Sequence, residues 1–279
     1  MICLLHGGSI GGDTLEYYGL GEGALRAFCV PPVEDAEWGT IYDRFLPANE
    51  RKHLGKMLRH VKAHRAYVPF APAMSARIVG QCELQEELIP LPGGTQLYRN
   101  LDCPSDGLLL EPGEAAVYAA DECGIALAGP VVAHCGRDSL LDRATLMTGT
   151  PSREHLSVIH AMATRLERAG MVVEQQHLNL LFQLPAERFN HPLHHPVHGA
   201  FHRAMLRYAK RRDDRIAWEE DDNVWLDIGR LAVVQANRTG FGSADAKSQL
   251  PVGGAFGYTR HPDQSLRSRK NLVIVVRPA

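Results

Sequence analysis

Long apolar segments are missing from this sequence of 279 residues. A helix that spans a bilayer needs about 20 consecutive apolar residues, and no run approaches that length. The first residues, Met1–Leu5, lack the basic stretch and the long apolar core of a secretory signal, so we expect no signal peptide. The sequence therefore predicts no membrane partner.

An excess of charge of either sign is also missing. The formal net charge is −2 and the pI is about 6.7, which gives no general attraction to nucleic acid. The six cysteines contain no C-x-x-C spacing and are sparse for a disulfide scaffold. In a chain of this length they indicate reduced thiols, so we expect a cytoplasmic protein.

The pattern of apolar residues predicts a mixture of helices and strands. Helices are predicted over residues 14–29, 49–64, 150–170, 200–211 and 226–239, with Asn49 as the cap of the second and Gly240 after the last. Strands are predicted over residues 76–79, 83–89, 178–183 and 270–277, the last one central in its sheet because it is apolar throughout. Internal repeats and linkers are absent, so one α+β domain is the simplest interpretation.

The most informative segment runs from Asp106 to Leu141. Two short apolar runs, residues 124–128 and 131–133, flank Gly129-Pro130, which predicts a hairpin of two buried antiparallel strands. Cys123 then lies at the start of one strand and His134 at the end of its neighbour. Residues at the open end of a hairpin come close together, so we expect the thiol and the imidazole to meet.

A thiol and an imidazole that lie close together have three interpretations, two of them functional and one purely structural. The pair can bind zinc, or it can act as a nucleophile with its base. It can also be a buried cysteine beside a satisfied histidine. The polar residues that flank Cys123 and follow His134 favour a site. The histidines of residues 189–199 could bind a metal, but a polar loop is the better interpretation of their irregular spacing.

Several short motifs in the same order resemble those of the laccase-domain family, whose members are described as peptidoglycan editing factors and as zinc-dependent purine nucleoside phosphorylases. The resemblance covers roughly residues 76–279. The matching segments are Asp106–Leu108 (family A-D-G-L-V), Ala120-Asp121 with Cys123 (A-D-C), Ala133–Gly136 (H-A-G-W-R-G), and Gly254–Arg260 with Lys270–Val276 (F-Y-S-x-R-R and the last strand).

This resemblance implies the fold, the domain organisation and the cofactor. It implies mixed β-sheets packed as a sandwich with helices outside, similar to the fold of necrotising-factor cysteine hydrolases. The laccase-like domain would cover residues 76–279, with residues 1–75 as a divergent segment packed on it. The family is thought to hold zinc with His, Cys and His, and Cys123 and His134 match the second and third ligands. The position of the first ligand is Val79, which cannot bind metal; His6, His155 or a histidine of residues 191–198 could substitute.

The resemblance also implies a function for a divergent member. Metal-assisted chemistry on a purine nucleoside, as phosphorylase or deaminase, would use Cys123 and His134 with zinc. Arg260 and Arg137 would contact phosphate or ribose oxygens, because guanidinium suits bidentate anion recognition. Two alternatives stay open: a metal-free cysteine hydrolase with Cys123 as nucleophile and His134 as base, and a non-catalytic relative that binds a ligand or partner.

Overall fold

The N-terminal strands and the C-terminal strand of this chain meet in one sheet. A computed structural model describes residues 3–9, 16–22, 25–30, 38–42, 46–69, 79–81, 87–99, 105–120, 123–148, 157–183, 190–249 and 270–279. The strands are β1 Cys3–Ser9, β2 Glu16–Glu22, β3 Leu25–Val30, β4 Arg65–Val68, β5 Val79–Gln81, β6 Glu87–Pro90, β7 Gln96–Arg99, β8 Gly107–Leu109, β9 Glu114–Ala120, β10 Gly124–Ala128, β11 Val131–Cys135, β12 His177–Gln183, β13 Asn190–Pro192, β14 Ala217–Glu220, β15 Asn223–Leu226, β16 Ser243–Gln249 and β17 Asn271–Val276.

Six α-helices occur in the described ranges. They are α1 Ala48–His60, α2 Arg137–Leu140, α3 Arg143–Thr148, α4 Val158–Arg168, α5 Gly199–Lys210 and α6 Ile228–Thr239. Short 3-10 helices occupy Gly39–Tyr42 and Val173–Gln175. No helix in these ranges combines the length and the apolar character that a bilayer crossing requires.

The strands form three sheets. The largest has the order β1-β2-β3-β17-β9-β4-β7-β6, and the second has the order β16-β12-β10-β11-β8-β5. A small third sheet has the order β13-β15-β14. Strand β17 is the centre of the large sheet because it pairs with β3 on one side and β9 on the other. All six of its residues are buried, as its continuous apolar sequence predicts.

Three apolar cores hold the layers together. Leu108, Ile125 and Leu181 of the second sheet pack against Tyr118 and Val275 of the large sheet. A second core lies between helix α1 and the outer face of the large sheet. A third lies between helices α4, α5 and α6 and the outer face of the second sheet. The predicted α+β sandwich with outer helices is therefore confirmed; the similarity to the necrotising-factor fold stays a prediction.

The predicted hairpin around Gly129 is confirmed. Strands β10 and β11 pair antiparallel with Ala128 opposite Val131, so a two-residue turn joins them. Gly129 has a φ of 53°, and a glycine with positive φ at the first central position is typical of a type II′ turn. All residues of both strands are buried, because core lies on each face of the second sheet.

The predicted helix over residues 14–29 is wrong. Strands β2 and β3 occupy this region, and β3 pairs with β17 in a register that places Cys29 opposite Val273. Helix α1 has Pro47, and not Asn49, at its N-cap. The predicted start of the next helix at Thr150 lies outside the described residues; within them, α4 begins at Val158 and Ser157 caps it.

Candidate functional site

Cys123 and His134 meet at the open end of the β10–β11 hairpin. Cys123 directly precedes β10, and the register places His134 opposite Ile125. Gly136 lies between the two side chains. A Cβ added at this glycine would lie 2.7 Å from Sγ of Cys123, 3.1 Å from Cε1 of His134 and 3.3 Å from Nε2. Because a side chain here would collide with both groups, glycine keeps the space that brings the sulfur and the imidazole together.

The opposite edge of the imidazole faces a buried carboxylate and a hydroxyl. Nδ1 of His134 lies 3.6 Å from Oδ1 of Asp106 and 3.1 Å from Oγ of Ser139. Asp106 is fully buried, and its backbone carbonyl accepts hydrogen bonds from the amide of His134 at 2.8 Å and the hydroxyl of Tyr118 at 3.4 Å. With Nδ1 directed to Asp106 and Ser139, Nε2 is the nitrogen on the side of Gly136, where the sulfur lies.

The electrostatics of the site favour a protonated imidazole. Burial by itself lowers the pKa of His134, but the charge of Cys123, hydrogen bonding to Asp106 and Cys123, and the charge of Asp106 outweigh it and raise the pKa to about 10. The result is a cation held between two acidic groups. This arrangement is typical of a cysteine activated by histidine, with a third group that orients the histidine.

Cys123 is the accessible cysteine among those whose side chains the structure describes. It is partly exposed, whereas Cys29 and Cys135 are buried. Burial raises the pKa of both buried thiols well above its ordinary value, so they resist ionisation. The apolar flanks of Cys123 in the sequence therefore do not enclose the residue completely.

Arg137 begins the short helix α2 directly after Gly136, but its guanidinium is already occupied. It donates two hydrogen bonds to the carboxylate of Asp138, at 2.7 and 2.9 Å, and lies 3.3 Å from Nδ1 of His191. Its guanidinium carbon lies 5.4 Å from the centroid of the Phe201 ring. Burial raises the pKa of Asp138, but the hydrogen bonds and charge of Arg137 outweigh it and hold this pKa below its ordinary value. An anionic substrate would have to compete with Asp138 for Arg137.

The histidines after β12 form a separate cluster beside Arg137. The rings of His195 and His198 stack at 4.7 Å, and the rings of His191 and His202 lie 5.0 Å apart. Nδ1 of His195 accepts hydrogen bonds from the backbone amides of Val197 and His198, and Nδ1 of His202 contacts the carbonyl of Pro192 at 2.7 Å. The rings of His195 and His202 thus bond to backbone atoms of residues 192–198, as side chains of and beside a structured polar loop do.

The described residues do not complete a zinc site. The register places Val79 opposite Gly107, next to Asp106, so the family's first-ligand position lies beside the pair but carries a valine. No group of three or more His, Cys, Asp or Glu residues with metal-binding geometry occurs in the described ranges. Catalytic zinc usually takes three protein ligands, and the described residues here offer two candidates, Cys123 and His134. His155, Arg260 and the side chain of His6 lie outside the described part of the chain.

Two residues of this site were not predicted as site residues from the sequence. In the sequence, Asp106 is part of the Asp106–Leu108 motif. Strand β8 begins at the residue after Asp106 and pairs with β11, so Asp106 comes next to His134 near the end of β11. Ser139 gave no signal, because its approach to His134 depends on the turn that α2 makes after the strand.

Comparisons with known proteins support the fold. No protein-family model matches the chain, and no curated protein matches its sequence. Three similar crystal structures are Neisseria meningitidis protein NMB0706 of family DUF152 (14% identity, TM-score 0.58, 93% of this chain and 96% of that chain), the hypothetical protein YfiH of Bacillus licheniformis (9%, 0.61, 95% and 98%) and YlmD of Geobacillus stearothermophilus (11%, 0.62, 97% and 99%). The fold of this chain is the fold of these proteins, and at that level the resemblance to the laccase-domain family is confirmed.

Proposed function

We propose that Cys123, His134 and Asp106 form the catalytic group of a cysteine hydrolase that acts on an acyl bond of a small molecule. Cys123 is the nucleophile, His134 is the general base and then the general acid, and Asp106 orients the imidazole. The observation that carries the proposal is the position of His134 between the Cys123 sulfur and the buried Asp106 carboxylate. A nucleophilic thiol needs a reducing compartment, so a cytoplasmic location is part of the proposal.

The reaction divides into two steps. The sulfur of Cys123 attacks the carbonyl carbon as the thiolate, because its proton is already held on Nε2 of the His134 imidazolium. The tetrahedral intermediate expels its leaving group, which takes the proton from His134, and a thioester remains on Cys123. Water then attacks the thioester, with His134 accepting the proton of the water and returning it to the sulfur. Asp106 stabilises the imidazolium in both steps, because its carboxylate lies against Nδ1.

Selective alkylation tests the nucleophile. Iodoacetamide treatment of chelator-dialysed protein, followed by peptide mass spectrometry, should modify Cys123 well before the buried Cys29 and Cys135. We expect His134→Ala to slow the modification about 10-fold or more, and Asp106→Asn to slow it less, because the imidazole remains but loses the charge beside it. Equal rates in wild type and His134→Ala would contradict the base role of His134.

An acyl probe tests the reaction. With p-nitrophenyl acetate we expect a burst of one equivalent of nitrophenol and an acetyl adduct on Cys123, both absent in Cys123→Ala. His134→Ala should lose about 100-fold in the rate of the burst, in the range that general base catalysis contributes. Rapid alkylation of Cys123 with no adduct from this probe or from an amide series would support the non-catalytic alternative.

The second candidate is the zinc-dependent purine nucleoside phosphorylase or deaminase that the resemblance implies. One observation favours it: Nδ1 of His134 faces Asp106, and a carboxylate behind Nδ1 also orients a histidine whose Nε2 binds metal. Elemental analysis of purified protein, with an assay of inosine and adenosine in the presence and absence of phosphate, separates the two. One zinc per chain, lost in Cys123→Ala together with nucleoside turnover, would replace the hydrolase proposal.

A further inference from the structure

A cavity lies among helices α2 to α6, and neither Cys123 nor His134 lines it. Its volume is about 470 Å³, within the range of small-molecule sites. Helices α2 to α6 each supply lining residues. These include Leu140 from α2, Leu146 from α3, His160 from α4, Tyr208 from α5 and Gln235 from α6. Neither the proposed hydrolase reaction nor the sequence motifs use this cavity.

One lining residue, Gln235, is buried and has a side-chain oxygen without a hydrogen-bond partner. Gln235 is 7% exposed, and its Nε2 donates to the carbonyl of Leu140 at 2.7 Å. That bond directs Oε1 away from Leu140, and Oε1 has no hydrogen-bond partner. Less than 1 Å² of Oε1 is accessible, so Gln235 joins α6 to α2 and does not meet a ligand. The apolar side chains of the lining would contact the body of a ligand in the cavity.

The rim of the cavity carries positive charge. Arg212 and Arg238 both line it, and neither forms an ion pair with a carboxylate in the described part of the chain. Arg212 lies flat on the Tyr208 ring, with its guanidinium carbon 3.3 Å from the centroid, and donates to the Tyr208 carbonyl. Partial burial lowers the pKa of Arg212, and the nearby charge of Arg238 lowers it further. An anion between the two guanidinium groups would relieve this repulsion.

The carboxylate among the described lining residues, Asp142, does not cancel that charge. Asp142 caps the short helix α3, and it accepts hydrogen bonds from the amides of Ala144 and Thr145 and from the Thr145 hydroxyl. Its charge is therefore directed to the helix terminus rather than to a ligand cation. The cavity combines apolar lining residues with two guanidinium groups.

We propose that this cavity binds a small amphipathic organic anion. Its carboxylate, sulfonate or phosphate group would lie between Arg212 and Arg238, and its apolar or aromatic body would contact Leu146 and Tyr208. This ligand is distinct from the acyl substrate of Cys123, since neither Cys123 nor His134 lines the cavity.

A matched pair of fluorescent probes tests the site in the full-length protein. The anion is 1-anilinonaphthalene-8-sulfonate, and the neutral control is N-phenyl-1-naphthylamine, which has the same body without the sulfonate. We expect saturable binding of one anion per chain and weaker binding of the neutral probe. Equal affinity for the two probes would overturn the proposal, because the arginines would then contribute nothing.

Three variants and one control locate the bound probe. Arg238→Gln and Arg212→Gln should each weaken binding of the anion about threefold to tenfold and leave the neutral probe unchanged, as expected for a charge at the rim. Leu146→Trp fills the cavity and should abolish binding of both probes. Arg207→Gln, on the exposed face of α5, should change nothing. Circular dichroism and the urea midpoint confirm that each variant is folded. Unchanged anion binding in the three cavity variants would contradict the proposal.

Discussion

A buried histidine is ordinarily neutral, and His134 departs from that rule because acidic groups lie on both of its edges. The side chain of His134 is 7% exposed, so water contributes little to the stability of the cation. The Asp106 carboxylate and the Cys123 sulfur replace that water, and Ser139 is a further partner of Nδ1. The same neighbours that make His134 a base for Cys123 also make its protonation part of the stability of the fold.

The pKa of His134 gives a pH dependence with a definite sign. The pKa is about 10 in the folded protein and 6.5 for an ordinary histidine. Below pH 6.5 both the folded and the unfolded chain hold this proton, and the contribution of His134 to stability is complete. Above pH 6.5 the unfolded chain releases the proton while the folded protein still holds it. The contribution decreases as pH rises and is lost as pH passes about 10. The maximum slope from one proton is about 1.4 kcal/mol per pH unit.

We therefore expect the wild type to lose stability relative to His134→Gln as pH rises from 6.5 to 10. Urea unfolding of chelator-dialysed protein at half-unit pH steps gives the difference in free energy of unfolding between the two. His160→Gln, at an exposed position on α4, is the control and should follow the wild type at every pH. A constant difference across this window would show that Asp106 and Cys123 do not hold a proton on His134.

The sequence predicted two of the four residues of this site: Cys123 and His134 were predicted as site residues, whereas Asp106 and Ser139 were not. The turn at Gly129 and the apolar runs on each side of it were enough to bring Cys123 and His134 together, because a hairpin is a local structure. Asp106 reaches His134 through the pairing of β8 with β11, which no local pattern specifies. Arg137 was predicted to bind substrate, and this stays a prediction, with Asp138 as its competitor in the structure.

Helix ends follow local chemistry where the signal is strong. Residues 226–239 and Gly240 predicted the last helix, and α6 covers Ile228–Thr239 with Gly240 at a φ of 97°. The helix begins after Asp227, whose carboxylate accepts the amide hydrogen of Arg230 at 2.8 Å. The segment 14–29 shows the opposite case: its loose periodicity resembled a helix, but β3 lies beside β17, a strand some 240 residues later in the chain. Only that long-range pairing determines its conformation.

The cap of α6 supports a prediction about stability. Asp227→Ala leaves the amide of Arg230 without its acceptor and should lower the free energy of unfolding by about 1 kcal/mol. Asp227→Asn retains an oxygen acceptor at the same place, so it should cost less than half as much. Urea unfolding followed by circular dichroism measures both. Equal losses in the two variants would indicate that the charge, and not the hydrogen bond to Arg230, stabilises this helix end.

The two ends of the chain depend on each other in the large sheet. Strands β1 to β4 come from the first 75 residues, and they supply four of the eight strands. Strand β3 covers one side of β17, and β4 lies between β9 and β7 with parallel pairing to both. Strands from both sides of the boundary expected from the sequence, between residues 75 and 76, therefore share the large sheet, and the domain boundary itself stays a prediction.

We expect residues 76–279 to fail to fold without residues 1–75. Removing β3 and β4 would expose the edges of β17 and β9, whose side chains are buried throughout, and such apolar edges aggregate. The fragment alone should be insoluble or lack a cooperative urea transition, whereas co-expression with residues 1–75 should give a complex that elutes together and unfolds cooperatively. A chain divided between residues 220 and 223, in the turn between β14 and β15, is the control for division as such, because that cut leaves the large sheet intact. Cooperative unfolding of the isolated 76–279 fragment would mean that the first 75 residues are an addition to a self-sufficient fold.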